Sequence, residues 1–254
     1  MQAGNLTTFQ DFVFALWFIC SVCVKWSPLF LSEAALAGST CFSELYSKGE
    51  ADFWVRMPVY HKSRREGLCF IASVMLNTRS VNLMENAASV PCEIGSVAHR
   101  YQYISRVLDN SHINTDEVMQ AYAGEIFRPQ CEAEETIVLA LDHSKRNEGH
   151  AVLMLSVRMQ DRALLGAWRV RQTKGPIGWR GQHALLETVY PWLPENAHVL
   201  LAGDWFYGTA RLIAWCQRAG WDYRRRMKGN ITLQYQGGEM MTREIAQLMP
   251  EKGF

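Results

Sequence analysis

The sequence lacks a long hydrophobic run, a marked excess of either charge and most of the short motifs that announce an enzyme. Its longest apolar stretch, Phe12 to Val24, is closed by Asp11 and Lys25. A membrane-spanning helix needs about 17–25 residues, so this stretch reads as a buried helix or a region of poorly defined structure, and no membrane partner is expected. Residues 1–11 hold no Lys or Arg, which argues against a secretory signal. Lys and Arg number 26 against 25 Asp and Glu, a net charge of +1 that excludes a polybasic protein but not local basic clusters. Seven cysteines are an odd number, scattered, and fit a reducing cytoplasm better than a disulfide scaffold. Cys20-x-x-Cys23 has no second ligand pair at zinc spacing. There is no Gly-x-x-x-x-Gly-Lys-Ser/Thr loop and no Gly-x-Ser-x-Gly elbow. His143 and His150 are weak evidence for a metal. Asp142-His143-Ser144 is no hydrolase triad, because triads assemble in space.

What is present suits a globular protein: 48% hydrophobic and 20% charged residues can build a core. Three zones stand out. Residues 1–68 are a poorly defined segment, apolar and then basic at His61-Lys-Ser-Arg-Arg, without a clear period. Residues 69–130 read as helices. There, Ser80 is placed as the cap of a short helix from Val81 to Ala88, a turn follows at Val90–Glu93, and Ser96 caps a second helix. Val97, Tyr101, Ile104 and Leu108 share one face of that helix, and His99, Gln102, Tyr103 and Arg106 another. This is the outline of a helix-turn-helix DNA reader, and equally of any helical hairpin. On the first reading Arg100 and Arg106 are DNA contacts.

Residues 131–254 form the third zone, in which 136–229 alternate strand and helix signals. Thr136 to Asp142 is a continuous apolar run closed by an acid, as in a strand buried on both faces. A turn at Glu148-Gly149 leads to a second strand, Ala151–Val157, and Ala163–Arg171 reads as a third; short connections predict antiparallel neighbours. A helix is expected over Gln182–Trp192, a fourth strand over His198–Ala202, a helix capped by Thr209 and stopped by Gly220, and a fifth strand over Trp221–Met227. The expected class is α/β, with the order strand-strand-strand-helix-strand-helix-strand behind a helical N-terminal region.

Asp142 and Asp204 close the first and fourth strands. Ligands in α/β sheets bind beyond the carboxyl ends of strands. If the two strands are parallel neighbours, both carboxylates share one crevice and repel unless a cation lies between them. Mg²⁺ or Mn²⁺ suits hard oxygen donors and substrate phosphates. As turn residues, the same two Asp are unremarkable starts of loops. Arginines and lysines crowd 158–180 and 211–228, with Asp161 and Asp222 the only acids there, a footprint for a phosphate backbone. Trp168, Trp179 and Trp205 offer rings for unpaired bases or for core packing.

Thr136-Ile-Val-Leu-Ala-Leu-Asp142-His-Ser, Ala202-Gly-Asp204-Trp-Phe-Tyr-Gly-Thr209 and Trp221-Asp-Tyr-Arg-Arg-Arg-Met-Lys228-Gly resemble bacterial insertion-sequence transposases with a DDE catalytic domain, nearest the group called insertion sequence four. The resemblance covers about residues 70–250 and implies a ribonuclease-H-like fold. It implies Mg²⁺-dependent cleavage of DNA at transposon ends, then strand transfer into target DNA, in the bacterial cytoplasm at the nucleoid, with a homodimer as one expected state. By motif, Asp142 and Asp204 are the first two metal-binding and catalytic carboxylates, and Arg225 and Lys228 phosphate contacts. Two features depart from the pattern. Trp205 replaces an Arg, and the third acid, a Glu beyond an inserted β-rich segment, has no counterpart before Phe254. The resemblance therefore implies a C-terminally truncated transposase of weak or no activity. The alternatives are a non-catalytic DNA-binding or regulatory protein, and a decayed product that barely folds.

Overall fold

The computed structural model describes residues 42–90, 95–146, 149–159, 162–204, 207, 209–225, 232–235 and 238–241. Helices come first: α1 (Phe42–Arg56), α2 (Lys62–Thr78), α3 (Leu83–Ser89), α4 (Val97–Leu108) and α5 (Thr115–Glu132). The second half then follows the expected order: β1 (Ile137–Arg146), β2 (His150–Met159), β3 (Arg162–Gln172), α6 (Trp179–Val189), β4 (Val199–Gly203), α7 (Ala210–Ala219) and β5 (Asp222–Arg225). A short 3-10 turn, Tyr190–Trp192, extends α6, and a separate hairpin of β6 (Thr232–Tyr235) and β7 (Gly238–Met241) follows β5. The protein is α/β, a helical region followed by a mixed sheet.

That sheet has five strands in the order β3-β2-β1-β4-β5. β1 pairs antiparallel with β2, and β2 with β3, while β1–β4 and β4–β5 are parallel. Gly149, at φ +77, serves the turn between β1 and β2, where glycine escapes the strain a Cβ would add. Register sets Leu139, Leu141, Leu155, Val157, Ala167, Arg169 and Leu201 on one face. α5 and α6 pack there: Asp116 and Thr188 both reach Arg169, and Gln130 donates to the Met159 thioether. The apolar members of this face are almost fully buried.

Three expectations shift. Residues 42–68, where the sequence shows no period, hold α1 and the start of α2. The reason is burial: from Arg65 to Met75, α2 is buried at nearly every position, so no single stripe stands out. The cap of α3 is Asn82, not Ser80; its Oδ1 accepts from the N–H groups of Met84 and Glu85, and the helix starts two residues later than expected. β1 does not end at Asp142 but runs to Arg146, because β2 continues to pair with it after β4 has stopped. Ser96, Thr209 and Gly220 cap as read; Gly220 stops α7 at φ 70. The apolar run Phe12–Val24, Cys20-x-x-Cys23 and the turn at Pro91–Glu93 lie outside the described residues. Among the described residues no helix is long and apolar enough to cross a membrane.

Candidate nucleic-acid interface and its paired carboxylates

β1 and β4 are parallel neighbours, and their last paired positions are Leu141 and Gly203. Asp142 and Asp204 follow directly, each one residue beyond the end of the shared ladder. Neighbouring strands run about 4.8 Å apart, so the two acids stand side by side where the β1–β4 ladder ends, Asp142 still paired to Met154 of β2 and Asp204 just past β4. Both are exposed to solvent. The Asp142 carboxylate accepts from the His143 N–H at 2.7 Å.

Between them and the core stands Tyr207, which the sequence reading passed over. It is 2% exposed. Burial first, then the Asp142 and Asp204 charges, push its phenol far above the ordinary tyrosine value. One phenol that feels both carboxylates ties the two acids to a single locality. Its ring lies on Gly203: a Cβ at that glycine would meet Cδ2 at 3.2 Å and Cβ at 3.3 Å of the tyrosine. The Tyr207 N–H donates to the Asp204 carbonyl at 3.3 Å, and the Thr209 N–H to the Tyr207 carbonyl at 2.8 Å. The turn that carries Asp204 is thereby clamped between β4 and the N-cap of α7. A small pocket, with room for little more than a water molecule, is lined by Leu141, Leu201, Gly203, Tyr207, Cys216 and Tyr223 among others.

The surrounding charge follows from chain direction. β1, β3, β4 and β5 share one direction, so the N-termini of α6 and α7 open at the acid-bearing end. α5 runs antiparallel to β1, with Asp116 in its first turn bound to Arg169 near the end of β3, and so presents its N-terminus there too. Three helix N-termini bring partial positive charge to one end of the sheet. Arg171, Lys174, Arg180, Arg211 and Arg224 lie at this end, and all are exposed. Other described basic residues of the two clusters fall elsewhere. Arg158, Arg162 and Arg218 sit at the opposite end, and Arg169 is held by Asp116 at 2.8 and 2.9 Å and by Thr188 at 2.7 Å. Linear clustering overstated the charge at the crevice, because a strand carries its two ends to opposite sides of the molecule.

Other expected contacts scatter. Arg225 closes β5 level with Gly203, and Lys228 and Trp205 lie outside the described residues. On α4, His99, Gln102 and Arg106 are exposed, while Arg100 is half-buried and donates to the Val90 carbonyl at 2.9 Å. Tyr103 packs edge-on against Phe70 of α2, with ring centroids 5.3 Å apart. Trp168 is buried in the core at 4% exposure, and Trp179 leans on His183. His143 and His150 project to opposite faces of the sheet by register. Among the described residues no three His, Cys, Asp or Glu side chains converge as a metal group. Cys69 and Cys216 are buried thiols pushed up by desolvation to about 12 and about 11, which removes them as nucleophiles.

No protein-family model matches the chain. No curated protein matches it either.

Proposed function

We propose that this chain is a DNA-processing protein of the DDE transposase type, with a ribonuclease-H-like sheet that presents Asp142 and Asp204 to a phosphodiester. The observation that carries this reading is the placement of two exposed carboxylates one residue past a shared parallel ladder. The order β3-β2-β1-β4-β5 agrees with the fold that the motif resemblance implies. The partner is DNA, at transposon ends and target, which places the protein at the nucleoid.

A divalent cation, Mg²⁺ or Mn²⁺, fits the donor set: hard oxygens from two side-by-side acids, open to solvent, with room for phosphate oxygens. Asp142 and Asp204 would hold it. When bound, such an ion polarises the phosphodiester and offsets charge on the leaving oxygen. The protein's own contribution is positional. Arg171, Lys174, Arg180, Arg211 and Arg224 attract the backbone and orient it across the crevice. Tyr207 and Gly203 fix the turn of Asp204, so the second carboxylate keeps its direction.

The test is nicking of supercoiled plasmid by purified protein in Mg²⁺ or Mn²⁺, with DNA binding followed separately. Asp142→Asn and Asp204→Asn should each abolish nicking and leave DNA affinity unchanged or raised, since a repelling charge is lost. Metal-dependent nicking that survives both substitutions refutes the assignment. A second reading, a non-catalytic DNA-binding or regulatory protein, draws support from one observation: among the described residues no third acid joins the pair. Absence of nicking in the wild type, with binding and repression intact in Asp142→Ala, decides for that reading.

A further inference from the structure

The last turn of α1 exposes an aromatic ring that is already braced from behind. Trp54 is 58% exposed, yet the Arg65 guanidinium carbon lies 3.9 Å from its ring centroid. Arg65 itself is only 8% exposed. Its Nη1 donates to the carbonyls of Met57 and Pro58 at 3.2 and 3.4 Å, and its Nε has no hydrogen-bond partner. No carboxylate pairs with it among the described residues. A buried cation without a counter-ion is costly. What this one gains is the face of the indole, and the two carbonyls fix it there. One face of Trp54 is thus occupied and held still, and the rest is open to solvent.

The neighbourhood selects the ligand. α2 opens with Lys62-Ser63-Arg64 and no acid in its first turn. Lys62 is 68% exposed by side chain, with Glu66 3.6 Å away. Positive charge behind the ring, with more on the first turn of the helix that carries Arg65, disfavours a cationic ligand and favours a flat group carried on an anionic chain. The Tyr60 phenol donates to Glu117 at 2.8 Å and accepts the Asn114 N–H at 3.0 Å, which ties the loop to the N-terminus of α5. That terminus opens at the end of the sheet that bears Asp142 and Asp204. We propose that Trp54 is a stacking platform for an unpaired DNA base, with Lys62 and Arg64 on the adjoining phosphates. The proposal rests on the DNA-binding reading and adds to it a single-strand site outside the carboxylate crevice.

The experiment measures binding of a labelled oligo(dT) and of a blunt duplex of equal length to the full chain. Trp54→Ala should weaken oligo(dT) binding about tenfold, Trp54→Phe should recover most of it, and duplex binding should hold. Because Trp54 is largely exposed, neither variant should alter the circular dichroism spectrum. Unchanged oligo(dT) affinity in Trp54→Ala overturns the platform, as does an equal loss on duplex or a Phe variant no better than Ala. Wild-type protein that binds duplex but not oligo(dT) removes the platform alone. Binding to neither removes the DNA reading with it.

Discussion

Gly203→Ala is the smallest change that tests whether the fold and the carboxylate pair are mechanically linked. The new methyl would stand 3.2 and 3.3 Å from two carbons of Tyr207, closer than the 3.5–4.0 Å at which carbon atoms attract, with a third carbon at 3.5 Å. That tyrosine is 2% exposed and cannot swing into solvent. Overpacking of this kind costs about 1–3 kcal/mol. In a domain of this size each kcal/mol lowers Tm by about 2–4 °C, so a drop of roughly 2–12 °C is expected. The displaced ring pulls on the Asp204 carbonyl, which accepts the Tyr207 N–H, and so turns the carboxylate away from Asp142. Divalent-cation affinity should then fall toward that of Asp204→Asn. Thermal denaturation with circular dichroism reads the first effect, and Mn²⁺ titration by electron paramagnetic resonance the second. A Tm lowered with Mn²⁺ affinity unchanged would show that the ring yields without moving the acid, and would refute the linkage. An unchanged Tm would refute the packing argument itself.

Three further outcomes follow from the same geometry. If Arg171, Lys174, Arg180, Arg211 and Arg224 all meet phosphates, they contribute about −4.5 to the slope of log K against log salt; Arg180→Gln should lessen that slope by about 0.9, and an unaltered slope in fluorescence anisotropy removes Arg180 from the interface. Tyr46 and Tyr60 are raised from 10.0 to about 12, and Cys69 from 9.0 to about 12, by burial before other causes. The native chain keeps these protons where the unfolded chain sheds them, so stability is full below about pH 9 and declines as pH climbs toward 12; a urea midpoint constant from pH 8 to pH 11 contradicts this. Asp116→Ala strips Arg169 of a two-pronged partner whose side chain is 31% exposed. After allowance for solvent screening it should cost about 1 kcal/mol, whereas Glu44→Ala, which breaks the exposed Glu44–Lys48 pair, should leave the melting curve within experimental error.

The legible parts of the sequence were those whose signal is local. The cap at Ser96, the cap and stop at Thr209 and Gly220, and the apolar runs of β1, β2 and β4 each follow from neighbouring residues, and they appear within a few positions of where the sequence puts them. The end of β1 was misplaced because strand length depends on which neighbour continues, and β2 outlasts β4. α2 was read as helical only from residue 69; its start at Lys62 was missed, and burial at nearly every position from Arg65 to Met75 erases the period that marks a surface helix.

The crevice divides along the same line. Asp142 and Asp204 could be picked as a pair from two apolar runs ending in acids. Tyr207 could not, since its role comes from the absence of a side chain at Gly203, four positions earlier in the chain. Nor could the charge at that end be weighed from residue counts. Arg158 and Arg171 belong to one linear cluster, yet they lie at opposite ends of the sheet, because β2 enters where β3 leaves. What gathers at the acids is a property of direction: parallel strands send their helices back the other way, and the N-termini collect where the strands stop. A sequence supplies the arginines, but only the sheet order decides which of them face a phosphate.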